Sequence, residues 1–178
     1  MWIVIYVVSS LAALVALIAL VGLLLPREHV ATSSVRIAAR PDDVWAVAYD
    51  RAAWPTWCEG VKAMERLPDR DGRAVCKMTA CHGALVTEDV EVVPPRRLVT
   101  HIVDETLPFG GRWIWEFEPA PPGAVGTRVT ITEDGWVRNL IFRTLGRFVF
   151  GYHATIEATL RSLAKKCGEA SPQVERVR

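Results

Sequence analysis

The sequence predicts an α+β protein. One N-terminal transmembrane helix precedes a curved antiparallel sheet of about seven strands, and the sheet wraps on a long C-terminal helix. Three observations predict it. Residues 2–25 are apolar and uncharged. Residues 61–136 alternate with period two between closely spaced turn signals. After Trp136 the apolar side chains recur at three- and four-residue spacing for about thirty residues.

Only Ser9, Ser10 and Gly22 interrupt the apolar run from Trp2 to Leu25. As a helix it would be about 36 Å long, enough to cross a hydrocarbon core of about 30 Å. Pro26 stops it and Arg27 marks the interface. A cleaved signal peptide needs a basic leader and a shorter apolar core. No Lys or Arg precedes this run, so a retained anchor over residues 1–25 is expected. Arg27, Arg36 and Arg40 follow the span, and the positive-inside rule then puts the C-terminal domain in the cytoplasm.

Residues 26–31 read as a juxtamembrane linker and 32–168 as the folded domain. His29 to Ala39 forms its entering strand, with Val35 and Ile37 alternating against polar neighbours. Pro41, Asp42 and Asp43 open a short helix whose apolar side holds Val44, Val47 and Ala48, the acids complementing the helix dipole. Trp54-Pro55-Thr56-Trp57 is an aromatic turn ended by Gly60. Six strands then run over about 61–67, 73–81, 84–93, 98–107, 111–118 and 127–136, joined by short turns into a meander. The C-terminal helix carries Ile141, Leu145, Val149, Tyr152, Ile156, Leu160 and Leu163 on one stripe and closes at Gly168. Residues 169–178, polar and holding Pro172, read as a disordered tail.

Lys plus Arg number 21 against 20 for Asp plus Glu, a net charge of +1 that offers no basic excess for nucleic acid. Cys58, Cys76, Cys81 and Cys167 have no disulfide-framework spacing and fit a reducing compartment. Cys76 and Cys81, with adjacent His82, invite a zinc reading. Their five-residue offset along a strand points the two sulfurs to opposite faces, so neither a metal nor a cofactor is expected.

Five segments recur in a familiar order: Arg40-Pro41-Asp42-Asp43-Val44-Trp45, Trp54-Pro55-Thr56-Trp57, Pro94-Pro95-Arg96-Arg97-Leu98-Val99, Pro108-Phe109-Gly110-Gly111-Arg112-Trp113 and Thr127-Arg128-Val129-Thr130-Ile131-Thr132-Glu133. Over about residues 29–168 the chain resembles the helix-grip (SRPBCC) superfamily of START lipid-transfer domains, birch-pollen-allergen-like proteins and polyketide cyclases. The resemblance implies an interior cavity between sheet and long helix, used for apolar ligands. It implies no catalytic residue, because the superfamily has no universal catalytic motif.

Alternation sorts the candidate ligand-binding residues. One face of the fifth meander strand holds Trp113, Trp115 and Phe117, and one face of the sixth holds Val129, Ile131 and Glu133. In 84–93 the more apolar face holds Val86, Glu88, Val90 and Val92, joined by Met78. Trp57 from the aromatic turn and Phe142 and Tyr152 from the long helix complete the set. Such a lining suits an adaptable apolar pocket, or it simply fills a core. Glu88 and Glu133 are acids on apolar faces. Either both point inward as a carboxylate pair with one raised pKa, or arginines and sheet ends neutralise them.

His101 shares the inward face only if Val99 and Val103 do; the Leu98, Thr100 and Ile102 face is equally apolar. His153 and Glu157, four apart, form a surface pair. The stretch from Trp136 to Phe150 is apolar on most sides yet holds Arg138, Arg143 and Arg147. It either packs under the sheet with solvated arginine heads or dips into a membrane, and Gly146 and Gly151 leave room within it. Three functions compete: a membrane-tethered carrier of a hydrophobic small molecule or lipid, a cyclase or dehydratase using the cavity acids or His101, and a module binding another membrane protein.

Overall fold

The structure is a computed structural model that describes residues 2–81, 83–121 and 125–177. His82 and the middle of the turn from Pro119 to Gly126 lie outside these residues. The apolar run forms one helix, α1 (Trp2–Leu24), whose side chains are exposed along nearly its whole length. The chain then enters β1 (Glu28–Ile37), which takes in four of the six residues of the expected linker. Pro in the first turn and Asp42 and Asp43 beside it start α2 (Pro41–Tyr49), and the helix buries Val44, Trp45 and Ala48. A 3-10 turn (Arg51–Ala53) leads to the four-residue α3 (Trp54–Trp57).

The period-two region folds into β2 (Val61–Arg70), β3 (Arg73–Ala80), β4 (Gly83–Val93), β5 (Arg97–Ile102), β6 (Phe109–Pro119) and β7 (Thr127–Val137). They form the expected antiparallel meander, although β5 ends five residues early. β1 closes against β7 in unbroken register from Glu28↔Trp136 to Ile37↔Thr127.

The single long helix is replaced by two helices. α4 (Leu140–Leu145) continues as a π-helical turn (Gly146–Phe150), and the run breaks before α5 (Ala154–Lys166). Gly151 sits at φ +71°, where a residue with a Cβ is strained, so the 3.6-residue pattern cannot continue as one helix. α5 alone grips the sheet, burying Ile156, Leu160, Leu163 and Ala164, whereas α4 packs on α1. Burying each of the Ile and Leu side chains contributes about 1.5–3 kcal/mol. With Trp45, Trp54, Leu98, Trp115, Phe117, Val129 and Ile131 they make one core.

The C-terminal tail is ordered where the sequence suggested disorder. Val174–Arg176 forms β8, the eighth strand of the sheet, paired antiparallel with β1 from Ser33↔Arg176 to Val35↔Val174. Val177 N–H also donates to the Thr32 carbonyl at 2.8 Å. Glu157 supplies the reason: its buried carboxylate accepts hydrogen bonds from Arg176 of the tail and from Arg161. Glu157 therefore faces the sheet side, and the expected surface pair with His153 does not form; His153 Nδ1 lies 3.1 Å from Ser33 Oγ instead.

Hydrogen bonding to Arg176, and next to Arg161, holds the Glu157 carboxyl below its ordinary value of 4.5. A carboxyl lowered in the folded state stabilises it above that ordinary value, and the contribution disappears as pH falls through the lowered one. Glu157→Gln should cost about 1 kcal/mol at neutral pH, since both arginine partners are largely exposed. Thermal melts of detergent-solubilised protein from pH 7 to pH 3 should show wild type and variant converging in acid. Parallel curves would detach the order of the tail from this carboxylate.

Candidate functional site

Directly paired residues on neighbouring strands share a face, so the register defines the concave surface under α5. Trp113 lies opposite Glu133, which lies opposite Ala31; Trp115, Ile131 and Ser33 form the next row. Across the other edge of β6, Thr100 pairs with Trp113, Asp89 with Thr100, and Leu98 with Trp115. Beyond them Cys76 pairs with Thr87 and Met78 with Leu85.

β4 presents to the concave side the other face from the one that alternation predicts. A bulge between Asp89 and Glu91 leaves Val90 outside the pairing, so its strand does not keep one parity. Thr87 and Asp89 share the concave face, whereas Glu88 lies opposite His101 on the other face. Glu88 is buried there and accepts a hydrogen bond from Arg73 at 2.7 Å. His101 is accordingly outward, and Leu98, Thr100 and Ile102 are the inward set. No Glu88–Glu133 carboxylate pair exists. Val90 is exposed on the bulge, and Phe142 is 52% exposed on α4, away from the sheet; neither lies on the concave face.

Glu133 lies at the centre of the first polar cluster. Trp113 Nε1 donates to its Oε2 at 3.0 Å, and His29 Nε2 lies 3.0 Å from its Oε1. An ionised carboxylate only accepts, so Nε2 carries the hydrogen. The His29 ring stacks on Tyr152 with centroids 3.8 Å apart and 14° between planes. Its Nδ1 is buried without a hydrogen-bond partner among the described residues. Gly135 makes the cluster possible, since a Cβ there would lie 2.8 Å from His29 Cε1. Burial pushes the Tyr152 phenol above its ordinary value. A carboxylate that orients an imidazole whose second nitrogen is unpaired can hold or move a proton at Nδ1.

The second polar cluster is a buried ion pair. Arg51 Nη2 donates to Asp89 Oδ1 at 3.2 Å, with the two side chains 12% and 6% exposed. The guanidinium lies 4.8 Å above the Trp54 ring. Burial raises the Asp89 carboxyl, and Arg51 draws it back. Burial also raises the Cys76 thiol and pushes Cys58 up to about 11, so neither is an activated nucleophile. Among the described residues no three His, Cys, Asp or Glu side chains gather as a metal site.

Of the aromatic candidates, Trp115 and Ile131 are sealed, at 1% and 0% exposure. Trp115 stacks parallel to Phe117 and tilts against Trp54 and Trp113. They are core. Trp57, Met78, Trp113 and Tyr152 are half-buried against that core, together with Met64. Met64, Met78 and Leu85 stand in one cross-strand row, and α5 packs chiefly on β1 and β7 at the other side of the sheet. On the concave face Thr87, Ile102 and Thr100 lie between that row and Trp113, so a partly open strip of mixed polarity runs from Trp113 toward Met64.

His29, Arg51 and Asp89 escaped the sequence reading. His29 sits in the stretch taken for a linker. Asp89 lies next to the acid that attracted attention, on the face that the bulge hides. One signal was present: Gly135 inside a strand marks a close approach, here by the side chain of its cross-strand partner.

Residues 28–168 match the family model described as polyketide cyclase / dehydrase and lipid transport. No curated protein matches the chain significantly. Among solved structures it resembles the Zhui aromatase/cyclase of a Streptomyces species at 15% identity and TM-score 0.63, covering 79% of this chain and 93% of that one. A truncated norcoclaurine synthase from Thalictrum flavum is similar at 13% identity and TM-score 0.64, covering 81% and 96%. A START superfamily protein from Mycobacterium smegmatis is similar at 17% identity and TM-score 0.60, covering 78% and 97%. At these identities the likeness is one of fold.

Asp89→Asn should destabilise the protein by about 3 kcal/mol, because it leaves the Arg51 charge buried without its counter-ion. Replacing both, Arg51→Met with Asp89→Leu, should recover most of that loss in the same denaturation measurement. A single variant as stable as wild type would mean that water reaches the pair.

Proposed function

The chain belongs to the polyketide cyclase/dehydrase and lipid transport family, and on that premise we propose that it is a membrane-tethered protein that binds a hydrophobic small molecule or lipid. The ligand lies along the strip on the concave face. The observation that carries this reading is the half-buried Met64, Met78 and Leu85 row at one end of the concave face and half-buried Trp113 at the other, beside the Glu133 and His29 pair. Thioether and aromatic side chains adapt to an apolar ligand, and the carboxylate and imidazole at one end orient its polar group.

The tether is α1. It has 23 residues, a mean hydropathy of 2.8 and apolar side chains turned away from the rest of the chain. In water that exposure would be costly; in hydrocarbon it is favourable. Arg27, Arg36 and Arg40 support a cytoplasmic domain. Tethering raises the local concentration of a membrane-partitioned ligand around the strip.

Titrating an apolar fluorophore such as N-phenylnaphthylamine into the detergent-solubilised chain tests the binding reading. Trp113→Ala should weaken binding about tenfold, which corresponds to ~1.4 kcal/mol. Trp115→Ala should instead lower stability by about 3–5 kcal/mol. Unchanged affinity in both Trp113→Ala and Met78→Ala would remove the strip from the binding surface.

A second reading, an acid–base cyclase or dehydratase, rests on the hydrogen-bonded Glu133 and His29. Mass spectrometry of small molecules that co-purify, followed over time, separates the two. Conversion that stops in Glu133→Gln while the molecule stays bound supports an enzyme; a molecule retained unchanged by wild type supports a carrier.

A further inference from the structure

α4 runs antiparallel to α1 and follows it downward turn by turn. The Leu140 carbonyl abuts Gly22 so closely that a Cβ on Gly22 would lie 2.1 Å from its oxygen. One turn along, Thr144 Oγ1 donates to the Ile18 carbonyl at 2.9 Å. Ile18 lies about 10 Å along the helix from Leu25, at a rise of about 1.5 Å per residue. The π-helical turn continues from there, and it exposes Phe148 at 67% and Val149 at 65%, with Phe142 and Ile141 exposed above them.

We propose that residues 140–150 are a re-entrant element, inserted beside α1 into one leaflet of the bilayer. The proposal rests on the reading of α1 as a membrane anchor. Its occupant is committed by continuity: an apolar surface packed on the side of a helix embedded in hydrocarbon faces the same hydrocarbon.

The polar groups are arranged to allow this. Arg143, which looked on the sequence like a headgroup-binding or solvated cation, is 3% exposed. Its guanidinium donates to the carbonyls of Gly22 and Leu25 at the end of α1, and to those of Val137 and Arg138. It thereby satisfies backbone acceptors that a helix C-terminus leaves open, and its charge complements the negative end of the α1 dipole. Asn139 Oδ1 accepts from Phe142 N–H and closes the start of α4. Thr144 bonds the Ile18 carbonyl, so neither Arg143 nor Thr144 meets lipid unpaired. Arg147 is exposed, and its guanidinium is the polar cost that the insertion carries. The chain leaves the segment at Gly151 and proceeds directly to Tyr152, which stacks on His29. The inserted turn therefore ends at the edge of the polar cluster.

The native full-length chain, reconstituted in phosphatidylcholine and phosphatidylglycerol vesicles, tests this without substitution. A trace phospholipid carries a diazirine near the end of its acyl chain, and adducts are mapped by peptide mass spectrometry after illumination. Adducts on both α1 and residues 141–149, with none on β2, are expected. Adducts on α1 alone would overturn the insertion and leave the anchor standing; adducts on neither would overturn the anchor reading and the insertion with it. In Gly22→Leu the added side chain should part α4 from α1, so that adducts on 141–149 are lost while those on α1 persist. Adducts on 141–149 undiminished in that variant would overturn packing on α1 as the cause of insertion.

Discussion

The break at Gly151 governs how this chain distributes its helical surface. Its positive φ stops a run that begins at Leu140, so two helices on either side of the break pack on different partners. α5 keeps the work of gripping the sheet, with Ile156, Leu160 and Leu163 fully buried. α4 is released to α1, where Arg143 and Thr144 bond its backbone carbonyls. A continuous helix would serve only one of these partners. The residues at the break gain a position as well, since Tyr152 is set against His29 and His153 against Ser33.

Shortening the gripping helix leaves the sheet unevenly covered. Over β1 and β7 the concave face is closed, and Trp115, Phe117 and Ile131 are buried. Toward β2 and β3 it is shielded mainly by α3 and its tryptophans, and methionines stay half-exposed. The polar clusters lie within the face itself. Glu133 is satisfied by two donors, whereas the Arg51 and Asp89 pair leaves Arg51 Nε buried without a partner. Buried charge of this kind costs desolvation and is a weak source of stability.

At the opposite edge the tail extends the sheet. β1 would be an edge strand, with a row of open hydrogen-bonding groups, if β8 did not cover its middle. Three ladder positions are a small contact, and the Glu157 carboxylate between Arg161 and Arg176 holds them in place from the helix side. The same helix thus fixes both the core and the edge.

In the sequence by itself, the helix-grip class rests on the resemblance of five short segments to a known superfamily, whereas local periodicity makes legible the apolar N-terminal helix, the six-strand meander and the entering strand. Each follows from a repeat of 2 or 3.6 residues sustained over many positions. The sequence also marked Trp113, Glu133 and Met78, whose parity is unbroken along their strands. Only the tertiary structure decided the rest. A one-residue bulge at Val90 changed the parity of β4 and exchanged Asp89 for Glu88. A single glycine turned one periodic stripe into two helices and took Phe142 to α1. His29, Arg143 and Glu157 take their roles from partners 104, 121 and 19 positions away in the chain. Periodicity reports which side of an element is apolar; it carries no information about which distant group a polar side chain meets.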